Sequence, residues 1–173
     1  MKTARYPTRA ALTLIEILIV VMILAIGAMI VIPSIGSTAD AQAVGAARVL
    51  QADLEVARSL ALTTQQPMSL VFSPDKQSYK VVANYAGGAY ASAAAVGHPV
   101  NAGKPFEVTL ASLNGMPLVA VTNVSFGGLT YVTFLSQGDP VAAGSVTLRA
   151  GNVEMVVAVE GLTGIVTATR TSG

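Results

Sequence analysis

Residues able to do chemistry are sparse in this chain of 173 amino acids, and their spacing does not build a catalytic site. The single histidine, His98, stands in a Gly- and Ala-rich stretch, which leaves a Ser-His-Asp arrangement without support. There is no cysteine, so thiol catalysis, a disulfide framework and a Cys-based metal site are all excluded. No Gly-x-Ser-x-Gly occurs. The stretch "GHPVNAGKP", residues 97–105, has the outline of a phosphate loop. However, five residues rather than four separate its glycines, and Pro105 stands where the Mg²⁺-binding Ser or Thr belongs. Asp75, Asp139, Glu154 and Glu160 fall near turns or on polar strand faces, and no metal-ligand spacing is present. The chain reads as a non-enzyme with no cofactor. One ionisable residue is left in an unusual setting: Glu16, alone near the start of "AALTLIEILIVVMILAIGAMIVIP", residues 10–33.

The element that carries Glu16 is an apolar run from Leu12 to Ile32, broken only by Thr13, Glu16 and small residues. As a helix rising 1.5 Å per residue it covers roughly 30 Å, the thickness of a bilayer hydrocarbon core. Lys2, Arg5 and Arg9 precede it without a single acid, so the N-terminus belongs in the cytoplasm and the rest outside the inner membrane. A secretory signal peptide would have a shorter apolar region with its small residues after it; here Ala10-Ala11 come before. A plain, uncleaved anchor carrying a β domain fits the length and charge. In that reading Glu16 is an acid near headgroup level that reaches water.

The order of residues favours a third reading. "LTLIEILIVVMILAIGAMIVIP" resembles the class III signal sequence of type IV pilins and type II secretion pseudopilins. In that family a basic leader is removed on the cytoplasmic side, immediately before the hydrophobic helix. The resemblance implies a leader over 1–11, cleavage by a prepilin peptidase between Ala11 and Leu12, and N-methylation of Leu12. The family favours Gly before the cut; this chain has Ala11, which is also small. Thr13, Leu14, Ile15 and Glu16 match the residues that follow the cut, and Pro33 stands where major pilins carry a helix-kinking proline. The implied assembly residues are Glu16, Thr13 and Pro33. Glu16 would pair with the new terminal amine of a neighbouring subunit, because a carboxylate among packed apolar helices needs a partner.

Beyond a membrane or filament-core helix over 12–36, residues 37–66 become amphipathic. Ala43, Ala47, Leu50, Leu54, Ala57 and Ala61 recur at spacings of four and three on one helical face, with Arg48, Gln51, Glu55 and Arg58 away from it. Glu55 and Arg58 are placed for an i,i+3 pair. Pro33 and Gly36 are expected to bend the helix, and "QQP" at 65–67 to end it. From 67 to 173 the pattern is β: Met68–Phe72, Ser78–Ala83, Phe106–Leu110, Leu118–Val124, Tyr131–Leu135, Ser145–Ala150, Val153–Val159 and Ile165–Thr169. The turn signals are "SPDKQ", Gly138-Asp139-Pro140 and Gly151-Asn152. Residues 84–105 are low in complexity and read as an exposed, mobile loop.

"ADLEVARSLALTTQQPMSLVF" resembles the helix-to-strand junction of the GspH/FimT group of pseudopilins. "YVTFLSQGDP", "GSVTLRA" and "VVAVEGLTGIVTA" resemble that group's closing strands, with Thr163-Gly164 in the last turn. The implied fold is α+β and pilin-like: a long N-terminal α-helix, membrane-spanning in its first half, packed on a C-terminal antiparallel β domain in the periplasm. The implied function is that of a minor pseudopilin in a type II secretion or type IV pilus-like filament. Its partners would be prepilin peptidase, other pilin-like subunits and inner-membrane lipid. Some members of the FimT branch bind DNA. Here, removing 1–11 takes away three of ten basic residues and no acid, leaving seven against nine, a net −2. That balance opposes phosphate binding, with Lys76, Lys80 and Lys104 the one candidate local cluster and a DNA-uptake minor pilin the alternative.

Overall fold

The computed structural model describes residues 13–31, 34–110 and 115–172. The chain divides into two units, Met1–Ser37 and Thr38–Gly173. Helix α1 spans Leu14–Val31 in the first, and α2 spans Ser34–Thr64. Eight strands follow: β1 (Met68–Phe72), β2 (Ser78–Ala83), β3 (Glu107–Thr109), β4 (Ala120–Phe126), β5 (Tyr131–Phe134), β6 (Gly144–Ala150), β7 (Val153–Val159) and β8 (Val166–Ser172). They form two antiparallel four-stranded sheets, ordered β3-β2-β1-β5 and β4-β6-β7-β8. Every expected strand is present, with shifts of one to three residues at several ends.

The apolar stripe of α2 is the spine of the core. Ala43, Ala47, Leu50, Leu54, Ala57 and Ala61 are all at most 1% exposed. They pack with Leu70, Phe72, Tyr79, Val81, Val132 and Phe134 of the first sheet and Val146, Leu148 and Val157 of the second. The alanines keep the stripe shallow, which lets the large side chains of the sheets reach the helix backbone and fill the layer. The helix ends as its residues dictate. Gln65 adopts a left-handed φ of 55°. Its Nε2 donates to the Leu62 carbonyl at 2.7 Å, and the Thr64 hydroxyl donates to Leu60 O at 2.7 Å, satisfying carbonyls the last turn leaves open.

Polar ties fix α2 along the sheets. Gln51 Nε2 donates to Val166 O at 2.9 Å, and Asp40 and Arg170 form an ion pair at 3.8 Å. The expected Glu55–Arg58 pair does not form among the described residues. Arg58 instead donates from Nε to the Gly138 carbonyl at 2.9 Å, and Glu55 accepts from Gln51 at 3.5 Å. At this point the helix, the β5–β6 turn and the β7–β8 turn meet. Gly164 has φ +66°, and a Cβ there would lie 2.8 Å from Gly138 O and 3.1 Å from Arg58 Nε. Only glycine fits both the left-handed backbone and the close approach.

One half-buried acid ties helix to sheet. The Tyr79 hydroxyl, 1% exposed, donates to Asp53 Oδ2 at 2.6 Å. Burial pushes the Asp53 carboxyl above its ordinary value, against the opposing pull of the Tyr79 hydrogen bond and the nearby His98. The Tyr79 phenol is raised well above its ordinary value by burial and by Asp53.

Residues 84–105 do more than loop. Ser69, Val71, Lys80 and Val82 lie on the sheet face away from α2, yet all are buried. Tyr90, in a 3-10 turn at Tyr90–Ser92, lies on this face. Its hydroxyl meets Ser78 Oγ at 3.1 Å and donates to Glu107 Oε1 at 2.9 Å, while Lys80 Nζ sits 4.2 Å from its ring centroid. Burial pushes the Tyr90 phenol up to about 12. Tyr85 stacks edge-on to Tyr131 at 5.0 Å. The end of the segment is tied in by Val96 N–H to Val81 O and Phe106 N–H to Val96 O.

Two outcomes follow. Gly164→Ala destabilises the chain by at least about 2 kcal/mol in urea unfolding, since strain and overlap act together. Asp53→Asn keeps an acceptor for Tyr79 and removes a half-buried charge. A raised native pKa means that Asp53 contributes most when protonated and loses that contribution as pH rises. The variant is therefore more stable than the parent at neutral pH, and the difference shrinks as pH falls through the raised native value and is gone below the ordinary value of 3.8.

Candidate assembly site

The site begins with Thr13-Leu14-Ile15-Glu16. Thr13 precedes the first helical residue. Its side-chain Oγ1 accepts from the Glu16 N–H at 3.3 Å, and its carbonyl accepts from Glu16 N–H at 3.0 Å and Ile17 N–H at 3.3 Å. Thr13 is thus the N-cap and Glu16 the third helical residue, the Thr-x-x-Glu spacing of a capping box. This spacing is legible in the sequence, and it gives Thr13 a physical task that the family resemblance alone did not name. Glu16 stands in the first turn, where aligned backbone N–H groups favour a negative charge.

Past Glu16, helix α1 carries apolar side chains around its whole circumference, and the side chains from Thr13 to Gly27 are exposed. Leu14 is 82% exposed and Leu24 65%. Such a helix is stable in water only when covered, because each large aliphatic side chain gains about 1.5–3 kcal/mol on full burial. At 18 residues α1 covers roughly 27 Å. Among the described residues no helix is long and apolar enough to cross a membrane. The expected span of 12–32 takes in residues beyond them. The leader 1–11, with Ala11, and also Leu12 and Pro33, lie outside the described residues.

Several of the other residues singled out by type have structural partners. His98 Nδ1 accepts from the N–H groups of Val100 and Asn101 at 3.1 and 3.2 Å, and its ring lies 4.7 Å from that of Phe106. Asp75 accepts from Ser73 Oγ and Gln77 N–H, which hold its carboxyl below the usual range. Glu160 accepts from Thr163 Oγ1 at 2.6 Å in the β7–β8 turn. Of the basic cluster, Lys80 is 6% exposed beneath Tyr90, and Lys76 Nζ donates to Thr122 O at 3.0 Å. Two of the three lysines are thus engaged within the fold, and Lys104 is exposed. Among the described residues no group of His, Cys, Asp and Glu could hold a metal ion.

The fold has known counterparts. The crystal structure of the type IV minor pilin FimU of Pseudomonas aeruginosa superposes with a TM-score of 0.53 at 14% identity, covering 78% of this chain and 94% of that one. The minor pseudopilin EpsH from the type 2 secretion system of Vibrio cholerae superposes with a TM-score of 0.53 at 12% identity, covering 76% and 97%. No curated protein matches the chain in sequence. The family described as type II transport protein GspH matches residues 46–163, more than half of the chain, from the middle of α2 to the β7–β8 turn. With that match and a pilin-like α+β fold, the chain belongs to the GspH family, the minor pseudopilins of type II secretion and type IV pilus-like systems.

Proposed function

We propose that the chain is a structural filament subunit that enters its assembly through α1. Prepilin peptidase removes residues 1–11 by cutting between Ala11 and Leu12, and Leu12 is then N-methylated. The subunit waits in the inner membrane as a single-pass protein, N-terminus cytoplasmic and β domain periplasmic. It then moves sideways into a periplasmic filament of sister pilin-like subunits.

The observation that carries this reading is α1 itself: apolar on every side, exposed, and marked by one carboxylate in its capped first turn. Lipid or neighbouring helices can cover the apolar surface, but neither neutralises Glu16. A neighbour's terminal amine at Leu12 does. In an apolar bundle a lone carboxylate is costly, so the subunit docks where the amine is and not one turn away. Thr13 supports this by fixing where the helix begins, and thereby which way Glu16 points. Pro33, where major pilins of the resembled family carry a helix-kinking proline, is assigned to assembly with Thr13 and Glu16 on that resemblance.

Intact-mass measurement and N-terminal sequencing of the full-length product extracted from membranes find a chain beginning at Leu12, with or without one methyl group. A chain retaining "MKTARYPTRAA" rejects leader processing. Glu16→Ala keeps membrane insertion and loses incorporation into sedimenting filament material. Glu16→Asp, which keeps the charge on a shorter stem, retains more incorporation than the alanine variant. Unchanged assembly of Glu16→Ala would falsify the docking role.

A further inference from the structure

The hairpin at 97–105 is closed by its own imidazole. Gly97 and Pro105 form an antiparallel bridge, His98 N–H donates to Lys104 O at 2.9 Å, and Lys104 N–H donates to Asn101 O at 3.1 Å. Within this loop the N–H groups of Val100 and Asn101 both point at His98 Nδ1, from 3.1 and 3.2 Å. Two donors on one ring nitrogen use its lone pair, so Nδ1 is bare and the proton of the neutral ring is on Nε2. His98 thus serves the turn as an Asn or Asp side chain serves an Asx turn. Its ring also lies 4.7 Å from that of Phe106, which is 1% exposed, so the turn leans on the core.

A second partner for the imidazole stands on α2. Asp53 is near enough for a positive charge on His98 to pull its carboxyl down. The Tyr79 hydroxyl takes Oδ2, which leaves Oδ1 for another donor. We propose that His98 is a proton-operated latch: neutral, it holds the 98–101 turn shut, and protonated, it lets the turn go and pairs with Asp53.

The chemistry of the ring forces the exchange. Imidazole is the only side-chain group that ordinarily changes charge between pH 5 and 8. The imidazolium is a donor at both nitrogens, so a proton on Nδ1 faces two N–H groups and no acceptor, and both turn bonds are lost together. Turning the ring out of the loop carries its charge toward a carboxylate. The Tyr79 phenol on β2, raised well above its ordinary value, stays neutral in this range. Glu107 on β3 is engaged by Tyr90, and Lys104, on the hairpin itself, is exposed and screened by solvent. Asp53 is therefore the charge that decides. It must be ionised to receive the imidazolium, so its own raised value sets the lower end of the pH window. The base of the hairpin is independent of the latch, because Val96 N–H bonds Val81 O and Phe106 N–H bonds Val96 O. What acid releases is the tip, with Val100, 83% exposed, at its outer end.

Nuclear magnetic resonance on the full-length protein in detergent micelles reads the latch. From about pH 7.5 to 5, the amide protection of Val100 and Asn101, corrected for the intrinsic pH dependence of exchange, falls about tenfold with the midpoint of the His98 ring protons. The Val96 and Phe106 amides keep theirs. His98→Asn, whose side-chain oxygen keeps the acceptor but cannot titrate, holds the Val100 and Asn101 amides protected throughout. Asp53→Asn lowers the midpoint by about half a pH unit. Val100 and Asn101 amides indifferent to pH would overturn the proposal, as would an equal fall in His98→Asn. A midpoint unmoved by Asp53→Asn would overturn the pairing.

Discussion

The second unit depends on one contact: a shallow, alanine-rich helix stripe pressed against two sheets. Alanine contributes little area, so the stripe works by subtraction. Removing bulk from the helix lets Leu70, Phe72, Tyr79, Phe134, Leu148 and their neighbours fill the space between layers from the sheet side. The price of that closeness is intolerance: a larger side chain at Ala43, Ala47 or Ala57, all fully buried, has nowhere to go. The hydrogen bonds from Gln51 and Arg58 and the Asp40–Arg170 pair lie around the margin of this contact and fix the helix lengthwise. Hydrophobic burial sets how near the helix lies, and the polar ties set where along the sheets it stops.

The two helices meet water in contrasting ways although they follow each other in sequence. In α2 the residues sort into a buried stripe and an exposed one. In α1 no sorting occurs, and an element without a polar face must find its cover outside its own unit. A filament subunit needs both kinds: one helix that completes a domain, and one that stays unsatisfied until assembly. Thr13 and Glu16 sit at the start of the unsatisfied one, where a capped first turn and a single charge break an otherwise uniformly apolar surface.

Much of this was legible in the residues. The helical stripe of α2 could be read from spacings of four and three, and the eight strands from alternation and turn signals, because both depend on local periodicity. The Arg58–Gly138–Gly164 junction was visible only as three separate motifs; their meeting depends on how the chain folds between positions 58, 138 and 164. The segment at 84–105 is a largely exposed loop as expected, but the cover it supplies was hidden for a related reason. Its Gly and Ala content signals a loop, but two tyrosines, Tyr85 and Tyr90, cover a sheet face, and two aromatics in a long segment leave no periodic trace. The Asp53–Tyr79 bond and the burial of Lys80 were likewise invisible, since each depends on a partner far along the chain. At the candidate assembly site, the Thr-x-x-Glu spacing of the cap lies in the same residues that fit the family pattern.

Strands β2 and β3 are adjacent in the first sheet, yet the whole of 84–105 lies between them in sequence. Their pairing, Ser78 with Thr109 through Lys80 with Glu107, holds both ends of the excursion in place. Lengthening such a tethered segment adds closure entropy only logarithmically, so insertions there weigh lightly on the rest of the sheet. What does constrain it is the cover it supplies: Tyr90 over Lys80 and Tyr85 against Tyr131. Related chains are thus free to diverge in length and outward chemistry here so long as two anchoring aromatics remain, giving the molecule a replaceable outer skin over an unchanging frame.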